Sequence, residues 1–219
     1  VDIFNGVKKM DFAHAVREKL VCYIDTETVD AYIRAVSAQS LSESTEENRR
    51  IRKEMAIVYT PLNGTGRYCV TRTLRENGFE NIVVVKEQEQ PDGNFPTCPY
   101  PNPEIREAME LGISWAEKTG SDLLLATDPD CDRVGIAVKT KKGFTLLTGN
   151  EVGLLLLDYI CRRRIALGTM PERPVAVKTI VTIDMAKKIA EHYGVEMREV
   201  LTGFKFIGEQ IGLLEQQGE

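Results

Sequence analysis

The sequence predicts an α/β protein in which short buried strands alternate with amphipathic helices. Three observations carry that prediction. Met55-Ala56-Ile57-Val58-Tyr59, Ile82-Val83-Val84-Val85, Leu123-Leu124-Leu125-Ala126 and Val175-Ala176-Val177 are apolar runs of strand length, suited to burial on both faces. Segments with apolar residues at helical spacing separate them, and glycines stop several of these. The order strand, turn, helix, strand occurs around 55–147 and again from about 150 onward. Two consecutive α/β domains of related plan follow, the second incomplete.

Taken in order, residues 1–25 show no clear period, although Val7, Phe12, Val16 and Leu20 could share one helical face. Thr28 to Ala38 reads as a helix with Val29, Ile33 and Val36 as its stripe. Ser40 to Arg50 holds one apolar residue and is expected to be a mobile loop. The strand at 55–59 leads through Pro61-Leu62-Asn63-Gly64-Thr65-Gly66-Arg67 into a helix closed by Asn77-Gly78. A glycine-rich turn in that position can cradle phosphate, but it lacks dinucleotide or Walker spacing, and a tight turn serves as well. After the strand at 82–85, Gln90 to Pro103 contains prolines at 91, 96, 99, 101 and 103, which forbid regular structure. Asn102 and Pro103 then suit an N-cap and first turn for a helix presenting Ile105, Ala108, Met109, Gly112, Trp115 and Ala116 to a core.

Downstream of the strand at 123–126, Val134 to Val138 and a short strand near 144–147 form a hairpin around Lys142-Gly143. Gly149-Asn150 opens an apolar helix, Val152 to Cys161, and Arg162-Arg163-Arg164 near its end complements the helix dipole. A strand ends at Lys178, a helix runs from Met185 to Tyr193, and a strand covers Glu196 to Leu201. Thr202-Gly203-Phe204-Lys205-Phe206-Ile207-Gly208 leads into a last helix.

The composition, 42% hydrophobic and 28% charged over 219 residues, is that of a soluble globular protein. A net charge of −5 gives a nucleic-acid role no electrostatic support. No apolar run approaches the ~18 residues of a membrane span. Five cysteines without paired spacing and two histidines argue against a disulfide framework or a zinc site. Free thiols and the lack of a signal peptide point to the cytoplasm. The chain opens on Val1 and stops at Glu219 with no terminating feature, as expected of a segment of something longer.

Between the strands at 123–126 and 134–138 lies Asp128-Pro129-Asp130-Cys131-Asp132-Arg133. Acids at the end of a buried strand occupy the place where open α/β sheets bind ligands. Residues two apart in a straight strand are separated by about 6.5 Å. Oxygens around one magnesium ion lie no more than ~4.2 Å apart. The aspartates can share an ion only if the segment curls, and Pro129 favours leaving the extended line. An EF-hand calcium loop counted from Asp128 fails, because its glycine and glutamate positions hold Arg133 and Lys139. A phosphatase motif D-x-D-x-[TV] is weakened by Asp132 but stays open.

Leu147-Thr148-Gly149-Asn150-Glu151, the acid loop and Leu201-Thr202-Gly203-Phe204-Lys205-Phe206-Ile207-Gly208 together resemble the α-D-phosphohexomutase family, nearest its bacterial phosphoglucomutase/phosphomannomutase branch with phosphopentomutase-like features. Thr60 to Gly66, Pro91 to Thr97, Pro101 to Glu104 and Val177 to Thr182 share the resemblance, which covers the chain from about residue 26 to its end. Such proteins have four domains, the first three built on mixed four-stranded sheets between helices. The resemblance implies a linker from a preceding domain at 1–25, domain 2 at 26–147 and part of domain 3 at 148–219, each a three-layer α/β unit with a mixed sheet. It implies that Asp128, Asp130 and Asp132 hold Mg²⁺ and that Arg133 lies beside phosphoserine and substrate phosphate. Lys178 would stand at the active-site edge, and Thr202, Gly203 and Phe204, with Lys205 adjacent, would read the sugar.

The family's phosphorylated serine in its T-A-S-H-N-P loop is absent from these 219 residues, as are the first-domain lysine acid/base, the G-E-E-S sugar loop and the fourth-domain phosphate clamp. The expected partners are therefore a phosphosugar and domains 1 and 4 of the same chain. The expected activity of the whole is Mg²⁺-dependent interconversion of hexose 1- and 6-phosphates, glucose first, through phosphoserine and a hexose 1,6-bisphosphate. This segment would be inactive alone. A non-catalytic α/β binding module and a metal-dependent phosphatase working through Asp128 are the competing classes.

Overall fold

A computed structural model describes residues 3–217; the outermost two residues of the expected 1–25 linker and of the expected 148–219 domain lie outside that range. The chain divides into two compact units, 1–39 and 40–219. In the first, α1 (Ile3–Gly6), α2 (Phe12–Arg17) and α3 (Thr26–Ser37) are separate helices. The single face suggested by Val7, Phe12, Val16 and Leu20 is not formed. Asp11 starts α2 by accepting the His14 N–H at 2.9 Å, and Val7, Phe12 and Leu20 are exposed. Asp25 caps α3, accepting both the N–H and the hydroxyl of Thr28 at 2.9 Å, and these bonds hold its carboxyl below the ordinary range. On α3 only Ile33 is buried; Val36 is exposed.

The second unit holds two sheets. The first has strand order β2-β1-β3-β4-β5 and is mixed: β1 (Ile57–Thr60) is parallel to β2 (Ile82–Val84) and to β3 (Leu123–Thr127). β3, β4 (Val134–Thr140) and β5 (Gly143–Leu147) form an antiparallel run. This sheet has one strand more than the resemblance implies, since the 134–147 hairpin adds β5 at the edge. Val58, Val85, Met109, Ala116, Leu124, Ala126 and Ala137 form its core, fully closed from solvent. The second sheet pairs β6 (Val175–Thr179) in parallel with β7 (Glu196–Val200). α7 (Gly149–Ala166), α8 (Met185–His192) and α9 (Phe204–Gln216) accompany it, and Cys161, Ala190 and Val195 make a small core there. The α/β class holds for both, with the mixed pattern seen in the first sheet and a parallel pair in the second.

The expected mobile loop at 40–50 is in part helix α4 (Glu46–Glu54). Periodicity fails here because no residue of α4 is buried. Its stabilising features are polar: Thr45 accepts the Asn48 N–H at 3.1 Å, Glu46 and Glu47 begin it, and Arg52 and Lys53 end it. α5 (Arg67–Glu76) starts straight from the glycine turn. A 3-10 turn at Lys86–Gln88 precedes the proline-rich segment, which is irregular as expected. α6 (Arg106–Thr119) begins after Ile105 rather than at Asn102. The Asn102 carboxamide accepts the Glu104 N–H at 3.0 Å and its carbonyl accepts the Ile105 N–H at 3.0 Å, closing a turn before the helix. α6 ends on Gly120 at φ 69°, a left-handed stop.

α7 is capped by Thr148, not by Gly149-Asn150: Glu151 N–H donates to the Thr148 hydroxyl at 3.2 Å and Thr148 N–H to the Glu151 carboxylate at 2.7 Å. Asn150 is used instead to accept the Ile183 N–H at 3.1 Å. The three arginines lie within or beside the last turns of α7, and Arg163 has partners of its own, the Leu41 carbonyl at 3.1 Å and the Glu43 carboxylate at 2.8 Å.

Candidate metal centre

β3 is the middle strand of its sheet, and its C-terminal end delivers the acids. Beyond Thr127 the chain curls as sharing an ion requires. The Asp128 carbonyl accepts the Cys131 N–H at 3.0 Å, closing a four-residue turn. Cys131 sits at φ 64°, in the left-handed region that few side-chain-bearing residues enter. One carboxylate oxygen from each of Asp128, Asp130 and Asp132 then comes within 4.8 Å of the others. Oxygens about 2.1 Å from an octahedral ion lie roughly 3 Å apart at adjacent positions and ~4.2 Å at opposite ones, so the three would draw together on binding.

The three acids are not equivalent. Asp128 is 6% exposed, and its Oδ1 accepts the N–H of Asp132 at 3.1 Å and of Arg133 at 2.9 Å. Asp130 and Asp132 are exposed. The Arg133 Nε lies 3.7 Å from Asp128 and 3.8 Å from Asp132, a loose contact to both. The negative charge of Asp130, followed by the hydrogen bond and charge from Asp128, pushes the Asp132 carboxyl above its ordinary range. A divalent cation relieves that repulsion. Hard carboxylate oxygens, a facing cluster and mutual charge repulsion all fit magnesium.

The glycine turn, for which a phosphate cradle and a tight turn were both open, lies against this loop. Three of its N–H groups have acceptors within the protein: Asn63 to the Gln88 carbonyl at 2.9 Å, Gly64 to Pro61 at 2.8 Å and Thr65 to Pro129 at 2.9 Å. Sequence reading missed that contact, since 64 residues separate Thr65 from Pro129.

The remaining expected site residues belong to the second sheet. Lys178, at 5% exposure, points into a charge network on β6. Its ammonium donates to the Thr182 carbonyl at 3.0 Å and lies 2.5 Å from Glu199 and 3.4 Å from Asp184. Lys187 faces the same two acids at 3.2 and 3.0 Å. Lys178 and then Lys187 hold the Glu199 carboxyl below its usual range; for Asp184, Lys187 contributes first. The sequence did not single out Lys187, Asp184 or Glu199, because surface-type charges on a helix and an edge strand carry no motif. Thr202 and Gly203 precede α9, and Phe204 and Lys205 already form its first turn. Phe204 is 78% exposed, and the Lys205 ammonium lies 4.9 Å from the Phe206 ring centre. Among the described residues no helix is long and apolar enough to cross a membrane, and the cysteines are free.

A family model described as phosphoglucomutase/phosphomannomutase, alpha/beta/alpha domain II, matches residues 30–143, and the corresponding domain III model matches 148–215. A phosphomannomutase from Mycoplasmoides pirum is 30% identical over 215 residues, 98% of this chain and 38% of its own length. A phosphoglucomutase from Staphylococcus saprophyticus is 36% identical over 207 residues, 94% of this chain and 36% of its own. A phosphoribomutase from Saccharomyces cerevisiae is 35% identical over 213 residues, 93% of this chain and 34% of its own. The chain therefore spans a little over a third of the length of these relatives. In fold it is similar to a phosphoglucomutase/phosphomannomutase family protein from Burkholderia thailandensis, with a TM-score of 0.64 at 19% identity over 87% of this chain and 36% of that one.

Proposed function

The chain belongs to the phosphoglucomutase/phosphomannomutase family, and from that premise we propose that it is the metal-binding part of a phosphohexomutase. The observation that carries this reading is the carboxylate cluster of Asp128, Asp130 and Asp132 at the end of β3, with Arg133 beside it. In the whole protein the reaction would interconvert hexose 1-phosphate and hexose 6-phosphate, with glucose as the sugar, through a phosphoserine and a bisphosphate. The domain plan would be a linker to about residue 25, domain 2 to 147 and part of domain 3 beyond.

Phosphoryl transfer passes through a loose transition state, so the protein chiefly positions groups and neutralises charge. Magnesium, held by Asp128, Asp130 and Asp132, would supply Lewis-acid stabilisation of the phosphoryl oxygens. Three carboxylates and a divalent cation leave one negative charge, which Arg133 balances while presenting its remaining donors to phosphate. Asp128, anchored by two amides, keeps the loop in its curl. On the second sheet, Thr202, Gly203, Phe204 and Lys205 would bind the sugar. Lys178 would reach its phosphate only after exchanging an acid partner, because Glu199 and Asp184 engage it now. A phosphatase working through Asp128 finds less support: the anchoring of its Oδ1 leaves one oxygen, and the Arg133 guanidinium lies 3.7 Å from it.

The test compares this chain with one extended to the length of its relatives, assayed for conversion of glucose 1-phosphate to glucose 6-phosphate. The present chain should be silent and the longer one active with Mg²⁺. Asp130→Asn in the longer chain should lose about a hundredfold or more with an unchanged thermal midpoint. Full activity in that variant, or turnover by the present chain alone, would overturn the reading.

A further inference from the structure

From Asp128 to Arg133 the chain reverses with neither helix nor strand to hold it, yet three carboxylates must keep their separation there. Two hydrogen-bond sets oppose unravelling. The internal set consists of the Cys131 N–H on the Asp128 carbonyl and the Asp132 and Arg133 N–H groups on the Asp128 carboxylate. The external set comes from the glycine turn. Thr65 donates twice to the Pro129 carbonyl, from its backbone N–H at 2.9 Å and from its hydroxyl at 3.1 Å. That carbonyl belongs to the peptide joining Pro129 to Asp130, so its orientation sets where Asp130 leaves the turn.

The double donation requires two backbones to meet. A Cβ added at Gly64 would lie 2.2 Å from Pro129 Cα and 2.5 Å from its carbonyl oxygen, so only glycine permits the approach. A Cβ at Gly66 would lie 2.5 Å from the Tyr59 hydroxyl, 2.7 Å from Thr127 Oγ1 and 2.8 Å from Cys131 Sγ. Tyr59 is buried, and its hydroxyl and that of Thr127 lie 2.8 Å apart, pinning the last residue of β3 before the acids. The turn is thus complementary to the acid loop along its length.

We propose that Thr65, seated in the notch left by Gly64 and Gly66, is a positioning residue that sets the curl of the acid loop and so the separation of its three carboxylates. Its effect on a cation rests on the reading of the loop as a metal site; its effect on the loop does not. Groups that orient metal ligands commonly tune affinity in this way. Thr65→Val keeps the branched shape and the backbone donor while removing the hydroxyl, and Thr65→Ser restores it.

The experiment is hydrogen exchange on the present chain, read at the Asp132 and Arg133 amides and, as a reference, at Leu124 in β3. Thr65→Val should speed exchange of the two loop amides about fivefold, the loss of one hydrogen bond. The same loss should lower the thermal midpoint by only a few degrees and speed Leu124 no more than the loop amides, and Thr65→Ser should match the parent. Gly64→Ala should act in the same direction and more strongly. Loop amides that exchange in Thr65→Val as in the parent would overturn the proposal, and so would acceleration at Leu124 that exceeds theirs. A parallel Mn²⁺ titration separates the two readings. Thr65→Val should bind Mn²⁺ about fivefold more weakly and Asp130→Asn far more weakly. If Asp130→Asn bound Mn²⁺ as the parent does, the metal reading would fall while the exchange data still decided the role of Thr65.

Discussion

The two sheets of the 40–219 unit give their loops different support. The acid loop leaves the middle strand of five, over a core in which Val58, Met109, Leu124 and Ala126 are closed from solvent, with the glycine turn against it. The proposed sugar-reading loop leaves a two-stranded sheet whose core is Cys161, Ala190 and Val195, and it presents Leu201 and Phe204 to solvent. Magnesium chemistry tolerates little error in oxygen positions, whereas recognition of a sugar can be completed by further contacts. The difference teaches that the demand for geometry falls where burial is deepest.

The comparison breaks most visibly in the cores. Leu124→Ala should destabilise the first sheet by about 2–5 kcal/mol, since a fully buried leucine is replaced by a cavity. Ile211→Ala on α9, half-exposed, should cost less than about 1 kcal/mol. Chemical denaturation of both variants measures the contrast, and equal losses would erase it.

A smaller effect concerns the cation. Magnesium usually completes its shell with phosphate and water, so the three carboxylates alone should bind Mg²⁺ only weakly. Calorimetry should find an affinity poorer than micromolar, and a tighter value would show the loop to be self-sufficient.

The smallest effect is one of sign. Asp132 takes its proton more readily in the folded chain than in the unfolded one, so without metal its charge opposes folding at neutral pH. That opposition fades as pH falls through its raised value and is absent below about 4. Glu199 behaves oppositely: held low by Lys178 and Lys187, it stabilises above about pH 4.5, and this is lost as pH falls through its lowered value. With chelator present, Asp132→Asn should melt slightly above the parent at pH 7 and Glu199→Gln slightly below. Both gaps should close on acidification, and parallel shifts of the same sign would contradict the assignment.

Much of this was legible in the residues. Buried strands announce themselves by unbroken apolar runs, and Gly120 and Gly194 mark helix ends that the structure keeps, at φ 69° and 67°. The curl that gathers the three acids was legible because Pro129 favours leaving the extended line after such a run. Helix α4 was not, because its stability comes from caps and charge order rather than from a buried stripe. The starts of α6 and α7 were misplaced for a related reason: Asn102 and Asn150 are good caps by type but serve other turns. The Thr65–Pro129 contact and the Lys178 network join residues distant in sequence through the sheet, and no local pattern encodes them.

Thr148 carries a mechanical consequence. It alone separates Leu147, the end of β5, from Gly149, the start of α7, and its reciprocal bonds with Glu151 weld strand to helix. The covalent path between the two sheets thus contains no slack. Closing one sheet upon the other would require a swivel at a single residue or flexure of α7 as a beam. Breaking the weld, as in Thr148→Ala, would exchange a stiff joint for a loose one without touching a ligand.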